Sequence, residues 1–467
     1  MSMMSLSEAA AAVGAALRGR DVVFDCVGTD TRALAPRALF VALRGERFDG
    51  HAFLPQAAQQ GAVAALVERS RAPVTAPAAM SLIIADDSRN ALGRLAQHWR
   101  SKFTMPLIAL TGSSGKTTVK EMLAAILRAA CPQQTRDAAV LATRGNLNND
   151  IGVPLMLLAL GPAHRYAVIE MGMNHAGEIR QLARLAMPDV ALVTNAGRAH
   201  IEYLGSEEAI ARAKGELYEE LKDDGTAVIN ADDRYATLWR GLAKGRGQID
   251  FGIDTPAAVS ARYALRYLAS EIVVKLPHGE AAATLHAPGV HNVRNALAAA
   301  AAASALAVGP EAVSAGLNAF TGITGRLQLK SAVHGASLID DTYNANPDSV
   351  RAAIAILAQA PGSRLLVLGD MGELGPQAPR FHAEVGEAAR AAGLDALLTF
   401  GELSEHAARA FGRGARHYTR LEELLDDVSS RLKPGLTVLV KGSRFMRMER
   451  VVQAFAADAE RGGEHVH

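Results

Sequence analysis

A lysine and two threonines, Lys116, Thr117 and Thr118, follow a glycine turn in the run MPLIALTGSSGKTTVKEMLAAILRAA over residues 105–130. The run reads as a short apolar strand, a glycine loop and an amphipathic helix, which is the arrangement of a phosphate cradle. Gly112 and Gly115 leave out side chains where backbone must approach an anion, and Ser113 and Ser114 lie between them. The start of the helix adds free N–H groups and partial positive charge, and Lys116 reaches the outer phosphates. Thr117 offers its hydroxyl to a magnesium ion, and Thr118 completes the polar set. A full-length phosphate loop has a further glycine five residues before Gly115. Here that place is Leu110, so the loop is a contracted GxxGK[ST] form.

Ligands of open parallel sheets bind beyond the carboxyl ends of the strands, so the polar residue closing each apolar run is the next place to look. YAVIE closes on Glu170, a carboxylate that could hold magnesium; the alternative is a solvated edge charge, and the nearby cradle favours the metal. DVALVTN leads to His200, and a lone histidine is more often structural than a ligand. Lys214 sits within SEEAIARAKGELYEEL, where a solvated helix-face charge is the commoner fate of a lysine. Asp340 and Asp341 close another apolar run. Adjacent carboxylates at a strand end cost desolvation unless a hydroxyl or cation meets one of them, which favours a functional role.

These groups must be carried by several folded units. At 467 residues and roughly 150 residues per domain, about three domains are expected. Apolar runs at 22–24, 38–43, 64–67 and 82–85 alternate with alanine-rich helical segments up to Met105-Pro106, where a boundary is placed. Runs at 107–110, 166–170, 190–194 and 226–230, and again at 337–340, 365–369, 396–400 and 437–440, alternate with helical patterns. Such alternation argues for mostly parallel sheets covered by helices. Residues 261–285 read as a β-rich insertion, and the alanine-rich stretch 295–310 as a buried helix too short to span a bilayer. The expected architecture is α/β with three domains: a small α/β domain over 1–103, a central P-loop mononucleotide-binding domain with a mostly parallel sheet over 104–325, and a Rossmann-like domain over 326–467.

Charge is balanced, 49 Lys plus Arg against 48 Asp plus Glu, so no net basic field holds nucleic acid or an anionic membrane. Two cysteines, Cys26 and Cys131, have no metal-like or redox-like spacing, and a reducing cytoplasm fits best.

Nine segments in order, TGSSGKTT (111–118), GNLNNDIGVP (145–154), EMGMNHAGEI (170–179), AKGE (213–216), HNVRNALAA (291–299), GRL (325–327), DDTYNANPDS (340–349), GDMGELG (369–375) and VKGSR (440–444), resemble the Mur ligases, the ATP-dependent amide-forming enzymes of peptidoglycan assembly. No DNPR run exists anywhere, and the loop at Tyr343-Asn344-Ala345-Asn346-Pro347 favours a dipeptide-adding member over one that adds a diamino acid.

The resemblance implies a carboxylate phosphorylated by ATP to an acyl phosphate, which an amine then captures. It implies Lys116 on the β- and γ-phosphates, Thr117 and Glu170 on one magnesium, His200 on a second, and Lys214 as a carbamylated metal ligand. Asn292 and Asn295 would lie near adenine, Arg326 on a phosphate, and Asp341 on ribose hydroxyls. Asn146, Asn148 and Asn149 would orient the peptide carboxylate, and Asn344, Asn346, Lys441 and Arg444 would grip an incoming D-alanyl-D-alanine. Thr31, Arg32, Asp49, Gly50 and His51 resemble the pocket for a UDP-N-acetylmuramoyl-tripeptide, although a polar turn between strands explains such short runs as well. A monomer is expected. A related amide ligase such as folylpolyglutamate synthetase, or a kinase or nucleotide switch using the same loop, are the competing readings; the kinase and switch classes would carry a lid arginine cluster or an NKxD-type motif, and neither is present.

Overall fold

The computed structural model describes residues 2–45, 48–73, 77, 80–197, 201–267 and 269–457. Three sheets of five or six strands carry most of the chain. The first joins five strands in the order Ala16–Arg18, Ser81–Ala85, Ala64–Glu68, Ala38–Val41 and Cys26–Gly28, parallel except at the Ala16–Arg18 edge. The second is a six-stranded parallel sheet in the order Gly247–Phe251, Thr226–Asn230, Val190–Val193, Leu107–Thr111, Tyr166–Glu170 and Val140–Ala142. The third runs Gln328–Ser331, Ser337–Asp341, Leu436–Lys441, Ser363–Gly369, Ala396–Phe400 and Ala415–Tyr418, with only Gln328–Ser331 antiparallel.

Most strands read from sequence are the apolar ones inside the three large sheets; the run at 22–24 is instead the two-residue strand Val23–Phe24, paired antiparallel with Met4–Ser5 in a small sheet of its own. The peripheral strands Val140–Ala142, Gly247–Phe251, Gln328–Ser331 and Ala415–Tyr418 went unread, as did the three-residue Ala16–Arg18 and Cys26–Gly28. Short or half-solvated edge strands show too little alternation to reveal their period. The insertion is a three-stranded antiparallel sheet of Ser260–Leu265, Ser270–Leu276 and Gly279–Leu285.

The alanine-rich segment is the helix Val290–Ser304, which ends before residue 310, and Pro310 starts a second helix, Pro310–Ala319. Every alanine of Val290–Ser304 is buried, because small side chains let this helix lie close to the sheet and to the helix Lys116–Ala129. Gly316 allows the other close crossing: a Cβ there would lie 2.4 Å from the backbone of Ile126.

Cores are shared unequally. One hydrophobic cluster runs from Leu6 through Leu92 and Ala109 to Trp239, so the first and second sheets are fastened by a common core. The helix Ser88–Arg100 makes the join: Trp99 Nε1 donates to the Leu160 carbonyl at 3.0 Å, and the buried Arg100 donates to Ala186 O at 3.1 Å and faces Asp189 at 3.3 Å. The third sheet has its own clusters on its two faces, and Ile201 and Tyr267 pack against one of them. No helix among the described residues is long and apolar enough to cross a membrane.

Candidate active site

The strand Leu107–Thr111 sits mid-sheet and passes directly into residues 112–115 and the helix Lys116–Ala129. Gly112 has φ +155°, and a Cβ there would fall 1.8 Å from Thr194 Oγ1; Gly115 has φ +80°, with Asn295 Oδ1 2.4 Å from its would-be Cβ. Both glycines are therefore required by close approach as well as by conformation. The neighbouring strand Val190–Val193 supports the loop from its own end. Ser113 N donates to Asn195 O at 3.0 Å, Ser114 N to Asn195 Oδ1 at 3.0 Å, and Thr194 Oγ1 to Ser114 O at 2.7 Å. Thr194 and Asn195 escaped the sequence reading, although the polar pair closing DVALVTN was the available signal.

Lys116 Nζ donates to Gly112 O at 2.7 Å, folding over the loop it is meant to serve. Burial pushes its ammonium below the ordinary lysine range; Glu170 opposes the shift and Arg326 adds to it. Glu170 is 2 % exposed at the end of Tyr166–Glu170. Its Oε1 accepts from Asn148 Nδ2 at 2.9 Å, while its Oε2 is buried with no hydrogen-bond partner among the described residues. An orphaned carboxylate oxygen in the cleft that also holds the Thr117 hydroxyl fits a hard oxygen-seeking cation such as magnesium, which takes its remaining ligands from phosphate and water.

Lys214 is 1 % exposed in the helix Glu207–Glu219, and burial drives its pKa well below that of a free lysine, with the Lys116 charge adding to the effect. It is not the solvated helix-face charge that its pattern suggested. Glu216, two residues on, caps the helix Glu178–Ala186 through the backbone N–H groups of Gly177 and Arg180. His200 lies outside the described residues.

One cleft of about 1340 Å³ gathers most of the candidates: Ser113 to Thr118, Asn146, Asn148, Asn149, Glu170, Asn292, Asn295, Arg326, Asp341, Asn344, Asn346 and Lys441. Several have local duties. Asn149 Oδ1 accepts from Ile151 N and Gly152 N, holding the turn into the helix Gly152–Leu158. Asn292 and Asn295 are linked, Asn295 Nδ2 donating to Asn292 Oδ1 at 3.1 Å. Asn346 caps the helix Pro347–Leu357 and also donates to Ser114 Oγ at 3.3 Å. Arg326 Nη2 donates to Thr117 Oγ1 at 3.0 Å, and its guanidinium lies 4.4 Å from the centre of the Tyr343 ring.

Asp341 was expected to face ribose, yet both its oxygens are engaged here, Oδ2 by Lys441 Nζ at 2.6 Å and Oδ1 by Leu327 N at 3.3 Å. Burial still pushes its carboxyl up despite that partner. Lys441 also donates to Asn344 O at 2.9 Å, so its ammonium orders the Asn344 loop. Arg444 is exposed, paired with Glu449 at 3.2 Å and outside the cleft. His291, which the sequence reading passed over, lines the cleft, and burial lowers its pKa to about 4.

The amino-terminal candidates also stand outside this cleft. Thr31 Oγ1 donates to Gln56 Oε1 at 3.0 Å, and the exposed Arg32 folds back on Asp30. Asp49 caps the short helix Gly50–Phe53 and meets His51 Nδ1 at 2.6 Å, while His51 Nε2 accepts from Glu68 N at 2.9 Å. Gly50 is obligatory, because a Cβ would lie 2.7 Å from Leu43 O. Phe48 and Phe53 stand exposed beside them.

Comparison with known proteins fits this geometry. Residues 23–100 match the Mur ligase family catalytic domain, 110–303 the Mur ligase middle domain, and 325–444 the Mur ligase glutamate ligase domain. The UDP-N-acetylmuramoyl-tripeptide–D-alanyl-D-alanine ligase of Escherichia coli K12 is 41% identical over 97% of this chain and 98% of its own. The chain belongs to the Mur ligase family. Among solved Mur ligases, MurF from Acinetobacter baumannii superposes with a TM-score of 0.88 at 35% identity, covering 97% of this chain and 98% of its own. MurF ligase from Thermotoga maritima, solved in complex with ADP, gives 0.79 at 27% identity over 92% and 96%. Each of the family's three segments holds most of one of the three large sheets of this Mur ligase, and its α/β architecture is the one expected from the alternating strands and helices.

Proposed function

We propose that the chain ligates D-alanyl-D-alanine to UDP-N-acetylmuramoyl-tripeptide at the expense of ATP, with release of ADP and phosphate. The observation that carries this reading is that one cleft joins a phosphate loop to residues of the third sheet, with Arg326 on Thr117 and Asn346 on Ser114. The 41% identity to a ligase of that name along nearly the whole chain supports it.

The terminal carboxylate of the tripeptide attacks the γ-phosphorus of ATP, forming a C–O–P linkage and releasing ADP. The amine of the dipeptide then attacks the acyl carbon, loses a proton and expels phosphate, leaving an amide. Both partners of the first step are anions, so neutralisation and alignment dominate its barrier. Lys116 leaves Gly112 O to meet the β- and γ-phosphates, and Arg326 supplies a second cation from the segment entering the third domain. Thr117 and Glu170 would hold magnesium, which screens the phosphate charge when bound. Asn148 fixes the Glu170 carboxylate and, with Asn146 and Asn149, lines the approach of the peptide acid. Asn344 and Asn346, ordered by Lys441, line the side from which the dipeptide enters.

Lys214 is suited to carbamylation. Its depressed pKa leaves a neutral amine whose lone pair attacks carbon dioxide, and loss of one proton gives a carbamate that replaces a cation with an anionic ligand. A second magnesium, with His200 among its ligands, belongs to the same proposal. So do the UDP-binding role of Thr31, Arg32, Asp49, Gly50 and His51, the grip of Arg444 on the dipeptide after closure of the third domain, the domain limits at 103 and 325, a cytoplasmic location and action as a monomer.

The test is phosphate release with each substrate omitted in turn, and mass spectrometry of the product. Release that requires both the tripeptide and D-alanyl-D-alanine, together with a pentapeptide mass, is expected. Release indifferent to the dipeptide overturns the proposal in favour of a phosphotransferase. Lys116→Ala abolishes turnover if the cradle is the ATP site.

A further inference from the structure

Lys120 is a lysine at 1 % exposure that the proposed mechanism does not use. It lies one helical turn beyond Lys116, on the same face of the helix that begins at the phosphate loop. Its Nζ donates to the Thr143 carbonyl at 2.7 Å and pairs with Glu121 at 2.7 Å. Thr143 is itself 2 % exposed, and its Oγ1 accepts the backbone N–H of Glu170 at 2.9 Å.

The sheet explains why a side chain takes that N–H. The strand Val140–Ala142 pairs with Tyr166–Glu170 only as far as Ala142 opposite Val168, then leaves the sheet to build the loop carrying Asn146, Asn148 and Asn149. Glu170 N–H, two residues further, has no ladder carbonyl on that side. The Thr143 hydroxyl stands in for it. Glu170 is therefore fixed at two points by one short segment, its backbone by Thr143 and its Oε1 by Asn148, while Oε2 is buried with no hydrogen-bond partner among the described residues. Lys120 ties the start of that segment to the phosphate-loop helix. A buried ammonium is costly unless its bonds are made, and here they are spent on one carbonyl and one carboxylate.

We propose that Thr143 is the positioning residue for Glu170, and that Lys120, by holding Thr143, sets the distance between the phosphate loop and the carboxylate that faces the nucleotide-bound cation. The inference rests on the nucleotide reading of the cleft and goes beyond it by naming two residues that touch neither substrate nor metal. Outer partners of a metal-binding carboxylate typically change metal affinity or activity 10- to 100-fold when removed.

The experiment measures ADP affinity by calorimetry, with and without magnesium, for the wild type, Thr143→Val, Thr143→Ser and Lys120→Met, alongside turnover against magnesium concentration. Thr143→Val keeps the shape and removes the acceptor, whereas Thr143→Ser keeps the oxygen. Expected is a roughly tenfold or greater loss in Thr143→Val and Lys120→Met of the affinity gained from magnesium, with metal-free ADP affinity within twofold of wild type and Thr143→Ser close to wild type. A magnesium increment in Thr143→Val equal to that of the wild type overturns the proposal. So does equal loss in Thr143→Val and Thr143→Ser, or loss of metal-free ADP binding in step, since either marks a packing role only. A wild type that binds no ADP under any condition overturns the nucleotide reading instead.

Discussion

Arg326 and Thr117 stand 209 residues apart in sequence, and the guanidinium Nη2 of one donates to the hydroxyl of the other at 3.0 Å. The arginine comes from the segment between the second and third sheets, where Gly325 and Leu327 both adopt left-handed backbone, with φ +73° and +52°. Its ring partner Tyr343 lies at the end of the first strand pair of the third sheet. Arg326 Nε is buried and has no hydrogen-bond partner among the described residues, so the side chain retains a donor for an anion. Arg326→Ala should lower kcat/KM for ATP by about 100-fold or more, as expected for loss of a charge that meets a transferring phosphoryl group. Arg326→Lys should recover little of it, since an ammonium neither stacks on Tyr343 nor presents a planar fork. Steady-state kinetics at saturating tripeptide and dipeptide measure both.

Gly115→Ala should weaken nucleotide binding by about tenfold or more and lower the melting temperature. The left-handed conformation costs a Cβ about 1–2 kcal/mol, and the 2.4 Å approach to Asn295 Oδ1 displaces a side chain already bonded to Asn292. Calorimetric titration with ADP and thermal melting of the same preparation would show the two effects together.

Asn148 should matter through Glu170 and not through stability. Asn148→Ala frees the carboxylate Oε1 and is expected to reduce kcat by about 10- to 100-fold. Asn148→Asp, nearly the same shape, should be worse, because it sets an anion 2.9 Å from an anion that has no room to move away. A ranking in which Asp is the milder change would argue against the contact as the cause. Melting temperatures guard against global unfolding.

His291 makes stability fall with acid. Its pKa is lowered by burial to about 4, whereas the unfolded chain takes up a proton near the ordinary value of 6.5. Between those limits the unfolded state binds more protons than the folded one, so unfolding free energy declines as pH drops from 6.5 towards 4 and levels off below. The shift corresponds to at most about 3 kcal/mol. His291→Gln removes the titration, and urea unfolding at a series of pH values should give a shallower decline for the variant.

The phosphate loop was legible in the sequence because its chemistry is local. Glycines, a lysine and a threonine at fixed spacing behind an apolar strand need no distant partner to be interpreted. The same holds for the strands at the sheet centres, whose continuous apolar runs follow from burial on both faces. Edge strands such as Gln328–Ser331 did not declare themselves, since half-exposed backbone imposes no strong pattern.

What the amino-acid order could not supply was who pairs with whom. Lys214 carries the pattern of a surface lysine and is buried, because the helix face it occupies is covered by chain from elsewhere. Asp341 closes its strand as a free ligand would, yet Lys441, from the strand beside it in the sheet and 100 residues later, takes its carboxylate. Thr143 carried no signal in the sequence; its role arises only because the strand before it leaves the sheet and Glu170 N–H is left without a ladder partner. Composition and spacing fix which groups exist and which local turns they make. Their ionisation, their partners and the carboxylate oxygen left unpaired at Glu170 depend on contacts between remote segments, and those form only when the sheets are assembled.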